Sequence, residues 1–424
     1  MWTTILVARR VVTHDVVSVH WIVHSVVGVA CGWVALRRVG VVAASLVAAL
    51  VVGIPAWSAS HGVELGDYVG VARIVEEPVE AGALRVVFDI DGRRYVSYLY
   101  GPSAGRLSRC RFGDVVVVSG ERRELSATQR ARLAPRHVVG SFAVDAVESR
   151  CVPGSPLARS ANRVRDTLGL STASLRPDEA ALLAGLVIGD DRHQPREMIE
   201  AFRAAGLSHL TAVSGQNVAF VLAVCGPLLR RIHVRARFGV LVAVVAWFVV
   251  VTRCEPSVVR AGIMAIVAAF GASRGFLASG ERALALTVGA ALVVDPLLSA
   301  SVGFQLSTAA TAGLVWIAPR ISDRIPGPRW LAESLGVTIA AQVAVAPVSY
   351  LTFQTFNVVG LVTNLLAVPV AGFVMLAGLP VMGVCGLLVD VGVPRADDLA
   401  HVAMVPLRLA VRWVWWVAVV ASRL

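Results

Sequence analysis

Charge is scarce in this sequence. Of its 424 residues 16% are charged and 56% hydrophobic, and the mean hydropathy is +0.72. So little polar material excludes an ordinary soluble chain and makes this an integral membrane protein. Lysine is missing altogether, so all 39 basic residues are arginine. Together with the dominance of valine and alanine, that reads as the base composition of a GC-rich genome and carries no functional reading. No P-loop occurs, so any ATP-driven motor is a separate protein. A second apolar run follows the first at once, with no small-residue cleavage site between them, so the first is expected to stay as a span and not to be cleaved as a signal peptide. Acids are too few to balance the arginines, and the formal charge is +11. That excess fits arginine-rich cytoplasmic loops and also suits a polyanionic partner.

What is present falls into four stretches. Residues 1–57 hold two apolar runs, 15–36 and 39–57, split by Arg37 and Arg38, and predict a transmembrane helical hairpin. Residues 58–156 change period to short β-branched runs between Gly, Pro and Asp, the pattern of a small β-barrel of five OB-like strands. Within it "DIDGRR" supplies an Asp-Gly hairpin turn. The later part of this stretch is rich in arginine: Arg106, Arg109, Arg111, Arg122, Arg123, Arg130, Arg132 and Arg136 stand against Asp114, Glu121 and Glu124. Such a surface can hold phosphates or can be a solvated loop. Among the six cysteines, Cys110 and Cys151 alone share this polar compartment, and a disulfide between them is expected on the outer side of the membrane.

Residues 157–206 read as amphipathic helices, one opened by Pro177-Asp178-Glu179 and one over 195–205 with Met198, Ile199 and Phe202 on one face. Residues 207–424 carry a rapid series of apolar runs at 210–229, 238–252, 257–273, 283–294, 299–318, 335–351, 358–376, 379–391 and 402–421. The expected fold class is an α-helical polytopic membrane protein of about 10–11 transmembrane or half-membrane helices with an inserted OB-like extracytoplasmic barrel. Arginine clusters at Arg230 to Arg237, at Arg274 and Arg282, and at Arg320 to Arg329 mark alternate loops as cytoplasmic. Counting spans then puts the C-terminus inside. It also puts Arg9 and Arg10 outside, against the same rule.

Polar residues inside apolar runs must face a partner or water. Here they are Ser214, Gln216 and Asn217; Glu255, Ser257 and Arg260; Gln305 and Ser307; Gln342; and Asn364. Each amide alone reads as an interhelical hydrogen bond. Their grouping, beside the Pro and Gly of "DPLLSASVGFQLS" and "AAQVAVAPVSY", predicts a polar cavity through the bundle. Arg408 and Arg412, four apart on the last run, share a face and read either as interior cations or as anchors beside Trp413, Trp415 and Trp416.

The stretch "GLSHLTAVSGQNV" resembles the central motif of the competence DNA-uptake channel family, often called ComEC, written G-L-x-H-L-x-A-V-S-G-x-H/N-V. In the same order come "GLVIGDDRH", "PSVVRAGIMAI", "DPLLSASVGFQLSTAATAGL" and "AAQVAVAPVSYLTFQTFNVVGLVTNLLAVPVAG". The resemblance implies a channel that passes single-stranded DNA across the cytoplasmic membrane during natural transformation. It implies no cofactor, and as partners the bilayer, a separate DNA receptor and a cytoplasmic motor. By motif position it carries His209, Ser214, Gly215 and Asn217, then Pro256, Ser257 and Arg260, then Gln305 and Asn364, as path residues and not catalysts. Gln216, Glu255, Gln342, Arg408 and Arg412 join them from the residue reading, with Arg109, Arg111, Arg122 and Arg123 as outer capture residues. Many members continue into a metallo-β-lactamase-like domain with an H-x-H-x-D-H motif. That motif does not occur here, so a short form is expected and the degradation of the excluded strand falls to another protein.

Three rival readings differ in class. An intramembrane serine protease would pair Ser214 with His209 or His401, but Ala212 stands where the G-x-S-G of that class needs glycine, and a spacing of five puts His209 and Ser214 on different faces. A small-solute transporter would use the same cavity and differ in pore width and lumen potential. A metal site at Asp190, Asp191 and His193 competes with a helix end and an N-cap ahead of Pro195, and no metal is assigned.

Overall fold

The computed structural model describes residues 63–211, 215–273, 279–354 and 359–423. The expected hairpin of residues 15–57 lies outside them. Two compact units emerge, one reaching to Asn162 and including Ala285–Phe304, the other formed by Arg163–Leu284 and Gln305–Leu424.

The first unit holds the barrel. Its strands are β1 (Gly66–Ile74), β2 (Val79–Ala81), β3 (Ala83–Ile90), β4 (Arg93–Leu99), β5 (Val115–Arg123) and β6 (Val138–Val147), with helices α1 (Gly101–Leu107) and α2 (Ala127–Leu133) between them. The sheet order is β1-β5-β6-β4-β3-β2, and β1 pairs back onto β3 through Arg73 opposite Asp89 and Ile74 opposite Phe88. Five strands thus close on themselves, with β4 and β6 as the parallel pair, and the three-residue β2 only extends the edge of β3. This is the small OB-like barrel expected. The β3–β4 turn is Asp91-Gly92, both at positive φ, the conformation a two-residue hairpin demands. Alternate residues fill the interior, where Phe88, Tyr95 and Phe142 are almost wholly buried and Phe142 meets Phe88 and Tyr68 edge-on. Cys110 and Cys151 are bridged, with Cα atoms 5.7 Å apart.

The second unit is helical: α3 (Pro156–Leu170), which begins in the first unit, then α4 (Pro177–Ile188), α5 (Arg196–Ala204), α6 (Ser208–Thr211), α7 (Gly215–Arg231), α8 (Val234–Val251), α9 (Pro256–Ser273), α10 (Gly280–Val294), which passes into the first unit at Ala285, α11 (Val302–Trp316), which returns from it after Phe304, α12 (Ala318–Ser322), α13 (Arg329–Phe353), α14 (Val359–Asp390) and α15 (Ala396–Ala421). Among the described residues three helices are long and apolar enough to cross a membrane: Leu331–Phe353, Val359–Asp390 and Ala396–Ala421. Ala236–Val251 and Ser257–Gly271 are shorter apolar helices.

This corrects the span list. The runs 358–376 and 379–391 are one helix, α14, of 32 residues and so about 48 Å long, more than a hydrocarbon core of about 30 Å. Pro369 and Pro380 lie inside it. An internal proline removes one backbone bond, but helix ends are set by what the helix packs on, and apolar surroundings tolerate such prolines. Glycines of α14 are contact points. A Cβ on Gly378 would lie 2.6 Å from a Val187 methyl, and one on Gly386 would lie 1.9 Å from the Thr167 carbonyl oxygen. With two counted spans merged, the placing of the C-terminus inside by parity loses its basis.

The core of this unit joins α3, α4, α5, α14 and α15 through Leu168, Leu182, Leu186, Met198, Phe202, Ala371, Val374, Met404 and Val414. Phe202 stacks on Trp415 at 6.1 Å and 13°. Met198 and Phe202 face inward as the amphipathic pattern requires, whereas Ile199 is exposed.

Candidate functional site

Two motif segments of the sequence meet at the C-terminal end of α4. A helix leaves its last four carbonyls without intrahelical partners, and burial makes that costly. Here Gly189 turns the chain at φ 64°, and the amides of Gly189 and Asp190 fold back on Gly185 and Ala184. The remaining carbonyls are met by side chains from elsewhere. Asn217, 3% exposed, donates its amide to Leu186 (3.2 Å) and Val187 (3.5 Å), and Arg165 of α3 donates to Ile188 (3.4 Å). The central motif and the "GLVIGDD" motif are thus joined by an amide capping a helix end, with a cation at the negative pole of that helix.

Arg165 does more. Its guanidinium also donates to the Val251 carbonyl at the end of α8 (3.1 Å) and pairs with Asp190 at 2.8 Å. Both side chains of that pair are less than a tenth exposed. Arg192 grips the same carboxylate with two bonds, 2.7 and 2.6 Å. Burial alone would raise the Asp190 carboxyl, but the Arg192 hydrogen bonds and the charges of Arg165 and Arg192 hold it well below the usual carboxylate range. Both Asp190 oxygens are therefore engaged by arginine, which leaves the metal reading of Asp190, Asp191 and His193 without its central ligand. Gln194 packs where Gly185 has no Cβ, since one there would lie 2.2 Å from its amide nitrogen.

The other path candidates are spread over the helices. His209 is exposed on α6, and Ser214 lies outside the described residues. Gly215 and Gln216 open α7. Past Val251 the chain turns through Arg253 and Cys254, both at positive φ, to Glu255, and Pro256 opens α9 with Ser257 half-buried and Arg260 one turn on. Gln305 is 4% exposed on α11, while Gln342 on α13 and Asn364 on α14 are half-buried. Arg408 is half-buried with its Nε lacking a partner among the described residues, and Arg412 binds the buried Glu179 at the start of α4. His401 is exposed on α15.

On the barrel most of the arginines are already paired. Arg122, 14% exposed, lies 2.8 Å from Glu64 and stacks over Tyr68 at 5.3 Å. Arg123 pairs with Glu121, Arg130 with Glu124 and Arg136 with Glu76, while Arg106 donates to the Val147 carbonyl. Arg111 is half-buried, and Arg109 and Arg132 are exposed. Residues 63–156 contain thirteen arginines and twelve acids, so this domain is close to neutral and the excess charge of the chain lies elsewhere.

Sequence reasoning missed Arg165, Arg192, Gln194 and Glu179. The available signal was Asp190 itself, since a carboxylate between two apolar segments needs a cation, but no spacing rule points 25 residues back to α3.

The region that carries these motifs has relatives. Residues 186–424, more than half of the chain, match the family described as Competence protein. The chain belongs to that family. It is 24% identical over 245 residues to ComE operon protein 3 of Bacillus subtilis (strain 168), covering 57% of this chain and 31% of that protein. It is 25% identical over 214 residues to the uncharacterized protein YcaI of Escherichia coli (strain K12), covering 46% of this chain and 28% of that one. The matched part thus spans about a third of the length of these curated relatives. No solved structure matches the chain. Family and helices together make this a multi-pass protein of the cytoplasmic membrane.

Proposed function

We propose that the helical unit passes single-stranded DNA across the cytoplasmic membrane. The observation that carries this reading is the family match over 186–424, which takes in every candidate path residue from His209 to Arg412. Amides and guanidinium groups on successive apolar helices supply what an anionic backbone needs to lose part of its hydration. Passage needs no bond made or broken, so the chain works as a conduit and not as an enzyme, and it takes no cofactor. A separate receptor and a cytoplasmic motor complete the route.

The barrel contributes little net attraction. Capture falls to the exposed Arg109 and Arg123, with the half-buried Arg111, while Arg122 keeps Glu64 and Tyr68 in place. The direct test is import of labelled DNA by a deletion strain carrying either this gene or its Ser257→Ala, Arg260→Gln double variant. The variant should reach the membrane at normal level and lower import about tenfold or more, the scale of a lost charge-assisted contact. Equal import by the two strains overturns the path assignment. Uptake of small solutes, with DNA import unaffected, would favour the transporter reading.

A further inference from the structure

Arg165 lies outside the matched region 186–424, yet it touches two parts of it, the "GLVIGDDRH" motif and the end of α8. One guanidinium nitrogen donates to Ile188 and Val251, and another pairs with Asp190. The Ile188 side leads to Asn217, whose amide caps the same helix end. From Val251 the chain runs into Arg253 (φ 64°) and Cys254 (φ 55°), two consecutive residues in the left-handed region without being glycine. Such backbone persists only where its surroundings fix it. The Thr252 hydroxyl, which donates to Phe248 and Val249, secures the turn from within α8. Arg165 secures it from another element.

From this geometry we propose that Arg165 is a positioning residue that sets the "TRCEPS" turn, and with it Glu255 and Ser257, in register with the Asn217 end of α7. It touches no substrate. Only a planar guanidinium reaches two carbonyls and a carboxylate at once, so lysine, a point charge with a single head, should keep the Asp190 pair and release the turn. The proposal extends the path reading, on which it depends only for its consequence in transport.

The test uses a native reporter. Cys254 is exposed, three residues beyond the Val251 carbonyl. In the full chain with Cys31, Cys225 and Cys385 replaced by alanine and the Cys110–Cys151 bridge kept, alkylation of Cys254 by a charged maleimide reads the turn directly. Arg165→Gln and Arg165→Lys should change its rate about tenfold, the population shift that one charge-assisted hydrogen bond represents. Arg163→Gln, on the same helix with an 80% exposed side chain, should leave it unchanged. A wild-type rate in Arg165→Lys overturns the proposal and reduces Arg165 to a counter-ion. Should neither variant accumulate, hydrogen exchange of the unsubstituted protein decides the matter. The Arg253 and Cys254 amides must open together with those of Gly189 and Asp190, and independent opening ends the idea. A changed alkylation rate with undiminished DNA import would retain the positioning role and discard the path reading instead.

Discussion

The barrel and the helical unit handle charge in opposite ways. In residues 63–156 thirteen arginines meet twelve acids, and most pairs are at the surface, as with Arg123 and Glu121, whose side chains are 59% and 44% exposed. In the helical unit charges are more thinly spread, but Arg165 and Asp190 are 5% and 9% exposed, and Glu179 opposite Arg412 is 5% exposed. Surface pairs gain about 0 to 1 kcal/mol because water and salt compete for each partner. A buried pair gains little as a whole, yet losing one member strands the other in a low dielectric and costs about 3 to 5 kcal/mol. Where a pair sits, and not how many there are, decides what it holds.

The largest break in that contrast is Asp190→Leu. It leaves Arg165 and Arg192 facing an apolar side chain, and unfolding of the purified protein in detergent should lose about 3 to 5 kcal/mol. Asp190→Asn adds a signature in pH. Because the folded carboxyl is held below its ordinary value, its stabilisation is complete above the unfolded value of about 3.9 and is lost as pH falls toward the lower folded value. The stability gap between the parent and Asp190→Asn should therefore stay constant above about pH 5 and shrink below about pH 4. A gap that closes near neutrality would mean the carboxylate is not held by these arginines.

Next in size comes the disulfide, the barrel's own strong constraint. Cys110 and Cys151 close a stretch of 41 residues, a constraint on the unfolded chain of about 4 kcal/mol in the entropy treatment. Cys110→Ser, Cys151→Ser should lower the unfolding free energy of the barrel by about 2 to 5 kcal/mol and leave the alkylation rate of Cys254 unchanged. Loss of the helical unit's transition in the same scan would show that the two regions do not hold charge and strain separately.

Local signals were legible in the sequence, and reach across the fold was not. Asp91-Gly92 announced its hairpin because the required φ belongs to those residue types. The pairing of Cys110 with Cys151 followed from their sharing one polar compartment, and Gly189 and Gly206 end their helices at positive φ, where glycine is favoured. The split into runs 358–376 and 379–391 misled, because α14 continues through Gly378 and Pro380 with Gly378 packed on Val187. Asn217 stood out as an amide in an apolar run, but only the fold turns it to the carbonyls of α4. Arg165 gave no signal, since an arginine on an amphipathic helix reads as solvated until its partners, 25 and 86 residues on, are known.

The smallest expected effect tests the other side of the comparison. Arg123 and Glu121 are two apart on β5 and so share one face of the strand, both largely in water, 2.6 Å from each other. Arg123→Gln should change the stability of the barrel by less than about 0.5 kcal/mol, and 1 M salt should erase what little it changes. The same substitution removes one of the exposed arginines proposed to meet DNA, so binding of a single-stranded oligonucleotide should weaken although stability does not. A loss of stability comparable to Asp190→Leu would mean that the surface pairs of the barrel are structural after all. Unchanged oligonucleotide affinity would confine capture to Arg109 and Arg111.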